Sequence, residues 1–131
     1  MLLRMLSPRR FRDPEYAASI AALLYGGRAR TRADEVLRLF REDQIGGSRR
    51  GYLYQLLAGS VWTSLSFLPL VRQPTLVMTG NDDPIIPEIN GRLMSRLLPR
   101  GRLHVFDGGH VEGVIRPDPI ASVISDFLLA D

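Results

Sequence analysis

Two short stretches place acid and base side chains where they can move a proton. In "TLVMTGNDDPIIP" an apolar run ends at Gly80 and is followed by Asp82 and Asp83; in "RLHVFDGGH" a second run ends in a glycine pair and His110. A histidine that takes a proton from a hydroxyl works through one ring nitrogen. The other nitrogen must be held by an acceptor. A carboxylate beside it fixes the tautomer and stabilises the imidazolium that forms. Either aspartate could be that acceptor. Taken singly, a "DD" in a loop is a turn or a helix cap and a histidine after "GG" is a solvent-exposed residue; the joint placement carries the argument.

Such a pair works only if the fold brings its loops together. "PTLVMTG" is a short apolar run between Pro74 and Gly80, the pattern of a fully buried strand, and "RLHVFD" is a second one. "PEINGRLMSRLLPRG" between them is predicted helical, with Ile89, Leu93 and Leu97 stacked at four-residue spacing. "PDPIASVISDFLLAD" closes the chain as a helix with Ile120, Val123, Ile124, Phe127 and Leu128 on one stripe. Strand, helix, strand, helix is a βαβα unit with a right-handed crossover and two parallel strands, Thr75–Thr79 and Leu103–Phe106. Loops at the carboxyl ends of parallel strands share one edge of the sheet. Asp83 and His110 both lie in such loops. His104 alternates within its strand and reads as a packed strand residue, and Asp107 reads as a turn former.

Ahead of this unit the signals are helical. Asp13 can cap a helix that has Pro14 in its first turn, Tyr16, Ile20, Leu23 and Leu24 on one face, and Gly26-Gly27 as its stop. A second helix is expected near Thr31, with Asp34 three residues later as a capping-box-like acid, Val36, Leu37 and Phe40 on its apolar side, and "QIGGS" as its end. "GYLYQLLAGSVWTSLSFLPLV" is uncharged and rich in aromatics, and Gly59 and Pro69 break it too often for one helix.

Composition narrows the chemistry. There is no cysteine, which excludes disulfides, thiolate catalysis and zinc–thiolate sites. Two histidines are too few for a histidine-based metal site, and no cofactor is expected. No apolar run is long enough to span a bilayer, and "MLLRMLSPRRFRDP" lacks the long apolar core of a signal peptide, so a cytoplasmic protein is expected. Every basic residue is an arginine, and the basic side chains crowd the first 50 residues. They are interspersed with acids, which reads as a solvated helical surface rather than a nucleic-acid site.

The acid-then-histidine order, each after a strand, is that of the last two members of an α/β-hydrolase triad. "GNDDPIIP" resembles the acid loop of that superfamily, whose acid is the fourth residue counted from the glycine; this implies Asp83, leaving Asp82 as a turn residue bonded to local amides. "SPRRFRDPEYAASIAALLYGG", the long apolar stretch running into "GNDDPIIP", and "RLHVFDGGH" together are similar to the intracellular poly(3-hydroxyalkanoate) depolymerases. The resemblance implies an α/β fold: the C-terminal portion of an α/β-hydrolase, with a helical cap segment at residues 1–70 and a βαβα core part at residues 71–131. It also implies a serine esterase lineage acting on polyesters of 3-hydroxy fatty acids, possible residence at polyester granules, and an apolar cap surface whose Tyr52, Tyr54 and Trp62 either contact substrate or pack the cap on the core. After His110 the family continues with apolar residues, whereas this chain has "VEGVIRP", which sets Glu112 near the imidazole.

The nucleophile of such a triad is a serine in G-x-S-x-G on a sharp strand-to-helix turn. No such motif occurs. Ser48 in "GGSRR" and Ser60 in "AGSVW" lack the second glycine, and Ser64 and Ser66 fall in the cap-like segment. Two expectations follow. Either the chain is the C-terminal part of a hydrolase that needs an N-terminal half carrying the nucleophile, and is inactive alone, or it is a non-enzymatic remnant or binding fragment with an apolar surface.

Overall fold

The structure is a computed structural model that describes Arg9, residues 13–41 and residues 48–130 of the chain. The first helix among the described residues, α1 (Pro14–Tyr25), starts as the sequence predicts. The Asp13 carboxylate accepts from the Tyr16 amide at 3.0 Å, and Pro14 occupies the first turn. It stops at Gly26, whose φ of 62° is left-handed and suits a residue without Cβ. The buried stripe is Ala17, Ile20, Ala21 and Leu24. Tyr16 is only half-buried and Leu23 is exposed, so the packed face is rotated toward the small alanines, which allow closer approach.

A 3-10 turn, Gly27–Arg30, leads into α2 (Ala33–Arg41). Thr31 does not open this helix. Its amide and hydroxyl both donate to the Arg28 carbonyl, closing the 3-10 turn, and the helix begins two residues later with Asp34 and Glu35 in its first turn. Val36 is buried as expected. The side chains of Leu37 and Phe40, and the "QIGG" stretch expected to end α2, lie outside the described residues, as do residues 1–8 of the N-terminal stretch.

Helix α3 (Arg49–Val61) is capped by Ser48, whose hydroxyl accepts from the Gly51 amide at 3.0 Å. Gly59 does not interrupt it. The uncharged stretch divides after Val61 instead, and Pro69 sits in a second 3-10 turn, Leu68–Leu70.

Strands β1 (Thr75–Gly80) and β2 (Gly101–Phe106) are parallel, in register from Thr75 opposite Gly101 to Gly80 opposite Phe106. The crossover helix α4 (Glu88–Leu97) packs on them through Gly91, Met94 and Leu97. At Gly91 a Cβ would come within 2.9 Å of the Thr79 side chain, so glycine lets helix and strand approach. Leu68, Val77 and Leu98 form the core under the sheet, and Ala29, Val36 and Val111 form a second core between α2 and the loop after β2. A short helix, α5 (Glu112–Ile115), and α6 (Pro117–Leu129) follow.

Two predicted apolar stripes are not covered. Ile89 and Leu93 of α4 are exposed, leaving Leu97 as the packed member of that row; on α6 Ile124 and Leu128 are exposed while Ile120, Val123 and Phe127 are half-buried. The described residues hold a two-stranded sheet, which is too narrow to bury both helix faces. Among the described residues no helix is long and apolar enough to cross a membrane.

Candidate active site

The loops after β1 and β2 are stitched together beyond the last strand residues. The amides of Asn81 and Asp82 donate to the carbonyls of Phe106 and Gly108, each at 3.0 Å. The Asn81 side chain does the rest: its Nδ2 donates to Asp107 Oδ1 and its Oδ1 accepts from the Gly108 amide, both at 3.1 Å. Asp107 thus serves the turn, as expected. Asn81 was not singled out by the sequence, where an asparagine after a strand glycine looks like any turn residue.

This stitching brings Asp83 to His110. Asp83 Oδ2 lies 2.9 Å from His110 Nδ1. The other carboxylate oxygen, Oδ1, accepts from the amides of Ile85 and Ile86 at 2.8 and 2.9 Å. Those two bonds fix the rotamer of the acid, and Asp83 has a side chain only 10% exposed against 35% for the imidazole. An acceptor-only carboxylate requires the proton on Nδ1, so in the neutral ring Nε2 carries the lone pair. Nε2 has no hydrogen-bond partner among the described residues. The arrangement can do one thing well: accept a proton at Nε2 while Asp83 stabilises the resulting imidazolium.

Asp82 does something other than bond local amides. Its carboxylate accepts from the Gly27 amide and from Arg30 through both Nε and Nη2, each at 2.7 Å, across more than 50 residues of chain. The Arg30 guanidinium first, and the Gly27 amide second, pull its carboxyl down to about 2. The local-turn reading failed because its partners belong to a distant turn that no neighbouring residue announces. Glu112 is also placed structurally: it is 5% exposed and forms an ion pair with Arg28 at 3.5 Å. Arg28 and Arg30 keep 37% and 53% of their side chains exposed, as a solvated surface should, and are partnered as well.

His104 stands opposite Met78 in β2 and is half-buried, as a strand residue should be. Tyr52 and Tyr54 lie on α3 and Trp62 at its end; Tyr52 is half-buried, and Tyr54 and Trp62 are 63% and 73% exposed. Ser48 and Ser60 use their hydroxyls on α3, Ser48 as its cap and Ser60 as a donor to the Leu57 carbonyl at 2.8 Å. Among the described residues no cluster of three or more His, Asp or Glu side chains could hold a metal ion.

Residues 9–112 match the family described as alpha/beta hydrolase fold, and the chain belongs to that family. Within it, the chain is 41% identical over 128 residues to the poly(3-hydroxyalkanoate) depolymerase of Ectopseudomonas oleovorans, covering 98% of this chain and 45% of that protein. It is 31% identical over 88 residues to the serine hydrolase BPHL of Mus musculus, covering 66% of this chain and 29% of that protein. The enol-lactonase from Burkholderia xenovorans LB400 shares the fold, with a TM-score of 0.75 at 20% identity over 97% of this chain and 49% of that one. The chain thus spans less than half the length of these curated relatives.

Proposed function

We propose that the chain supplies the acid and the base of a carboxylic-ester hydrolase whose substrate is a polyester of 3-hydroxy fatty acids. The carrying observation is the 2.9 Å contact between Asp83 Oδ2 and His110 Nδ1. The identity with a depolymerase supports the substrate class. In the reaction, Nε2 of His110 takes the proton of a serine hydroxyl as its oxygen attacks the ester carbonyl. It returns that proton to the leaving alcohol, and water then repeats the cycle on the acyl-enzyme. The serine and the oxyanion amides come from an N-terminal hydrolase half outside these 131 residues, which contain no G-x-S-x-G. Residues 1–70 act as a cap, with Tyr52, Tyr54 and Trp62 toward the apolar substrate, in the cytoplasm and at polyester granules. Nucleic acid is not a partner.

The test uses a short-chain p-nitrophenyl ester and a serine-directed fluorophosphonate. The 131-residue chain alone should neither turn over nor be labelled. Joined to the first half of the related depolymerase, it should do both, with the label on the added serine. Stoichiometric labelling of any serine in the chain alone overturns the proposal.

A second reading draws on the exposed Tyr54, Leu57, Val61, Trp62, Phe67 and Leu70. On that reading the chain binds apolar polymer without turnover, and the joined protein stays inactive although folded.

A further inference from the structure

The 3-10 turn Gly27–Arg30 reaches both loops of the acid–histidine pair at once. Arg30 grips Asp82 with two nitrogens, next to Asp83. Arg28, two residues earlier, pairs with Glu112, two residues after His110. Between them Ala29 is fully buried and packs with Val36 and Val111, the latter adjacent to His110. The backbone adds two more ties: the Gly27 amide donates to Asp82 Oδ2 at 2.7 Å, and the Tyr25 carbonyl accepts from the His110 amide at 2.8 Å. Space is equally tight. A Cβ at Gly26 would meet the Asp82 carbonyl oxygen at 1.9 Å, and one at Gly109 would meet the Tyr25 carbonyl oxygen at 2.0 Å.

An isolated surface ion pair does little for a fold. These two differ because they are alternate residues of one 3-10 turn and each ends on a different loop. On Asp82 the Arg30 guanidinium fork fixes direction as well as distance, and Arg28 adds a single-nitrogen ion pair at 3.5 Å to Glu112, whose carboxylate is buried. We propose that Arg28 and Arg30 are positioning residues for the catalytic pair: through Glu112 and Asp82 they set the spacing and orientation of Asp83 against His110. The proposal rests on the hydrolase reading only in calling that pair catalytic.

The test reads the imidazole rather than turnover, so it stands or falls independently of ester cleavage. The 131-residue chain is labelled with 15N-histidine and the two histidines are assigned with His104→Gln. The expected spectrum shows His110 as a single tautomer protonated on Nδ1, with a downfield Nδ1 proton. Arg30→Met and Arg28→Met should each lose that proton signal and give a tautomer mixture while helical circular dichroism is retained. Arg92→Met, which removes an ion pair with Glu88 within α4, should leave His110 unchanged. If the methionine variants do not fold, Arg30→Lys decides, because lysine keeps the charge and loses the fork on Asp82; it should weaken the Nδ1 signal. Folded Arg28 and Arg30 variants with the wild-type His110 spectrum, or an equal change in Arg92→Met, overturn the proposal.

Discussion

The amide of His110 donates to the carbonyl of Tyr25 at 2.8 Å. Tyr25 ends α1, and the last carbonyls of a helix have no partner within it. The backbone of His110 therefore satisfies an acceptor that the helix leaves open. This tie joins two segments far apart in sequence, and it needs Gly109 to let the two backbones meet.

Substitutions at two glycines should have opposite signs. At Gly109 a Cβ would lie 2.0 Å from the Tyr25 carbonyl oxygen and 2.6 Å from the Gly26 carbonyl carbon, so backbone must move. Gly109→Ala should destabilise the chain by about 1–3 kcal/mol, the usual cost of overpacking. At Gly59, within α3, a Cβ meets nothing within 4 Å. Gly59→Ala should stabilise by up to about 1 kcal/mol. Urea unfolding of both variants measures this, and a stable Gly109→Ala would show that the approach is not rigid.

How much of this was legible in the sequence depends on the range of each signal. The α1 cap at Asp13, the two strands and the acid and histidine loops follow from local chemistry: a cap residue, a buried run ending in glycine, a crossover that must bring loops to one edge. The Ile89–Leu93–Leu97 and α6 stripes were read correctly as apolar, but periodicity marks a face and does not supply its cover. Thr31 lies near the start of the second helix but closes the 3-10 turn instead, and the sequence does not separate the two because a hydroxyl serves either equally well. The partners of Arg28, Arg30 and Asp82 were not readable, since a contact across more than 50 residues leaves no mark on adjacent positions.

Asp82 should make stability depend on pH below the normal carboxylate range. Its carboxyl is held at about 2 in the folded chain against an ordinary 3.8. A lowered folded value means the contribution is complete above the unfolded value and is lost as pH falls toward the folded one. The gap in denaturation midpoint between wild type and Asp82→Asn should be full near neutral pH and should close between about pH 4 and pH 2. Its side chain is 42% exposed, so high salt should shrink the gap as well. A gap that stays constant across that pH range would mean that the Arg30 pair does not form in solution.

Trp62 is the only tryptophan in the chain and is 73% exposed. Its emission should be red-shifted and readily quenched by iodide in buffer. If the apolar surface meets polyester, particles of a poly(3-hydroxyalkanoate) should shift the emission to the blue and protect it from iodide. Unchanged emission and quenching with the particles sedimented alongside bound protein would remove Trp62 from the contact surface.

The most direct measurement is kcat for ester hydrolysis by the chain joined to the first half of the related depolymerase, with variants at the two paired residues. His110→Ala should abolish nearly all turnover, because no other group takes the serine proton. Asp83→Asn should lower kcat by about a thousandfold or more, since the imidazole loses control of its tautomer. His104→Gln, in β2 and outside the site, should stay within about twofold of the parent, as expected of a substitution away from the reacting groups. A folded, active protein that keeps its rate after His110→Ala or Asp83→Asn would contradict the assignment of these two residues as base and acid.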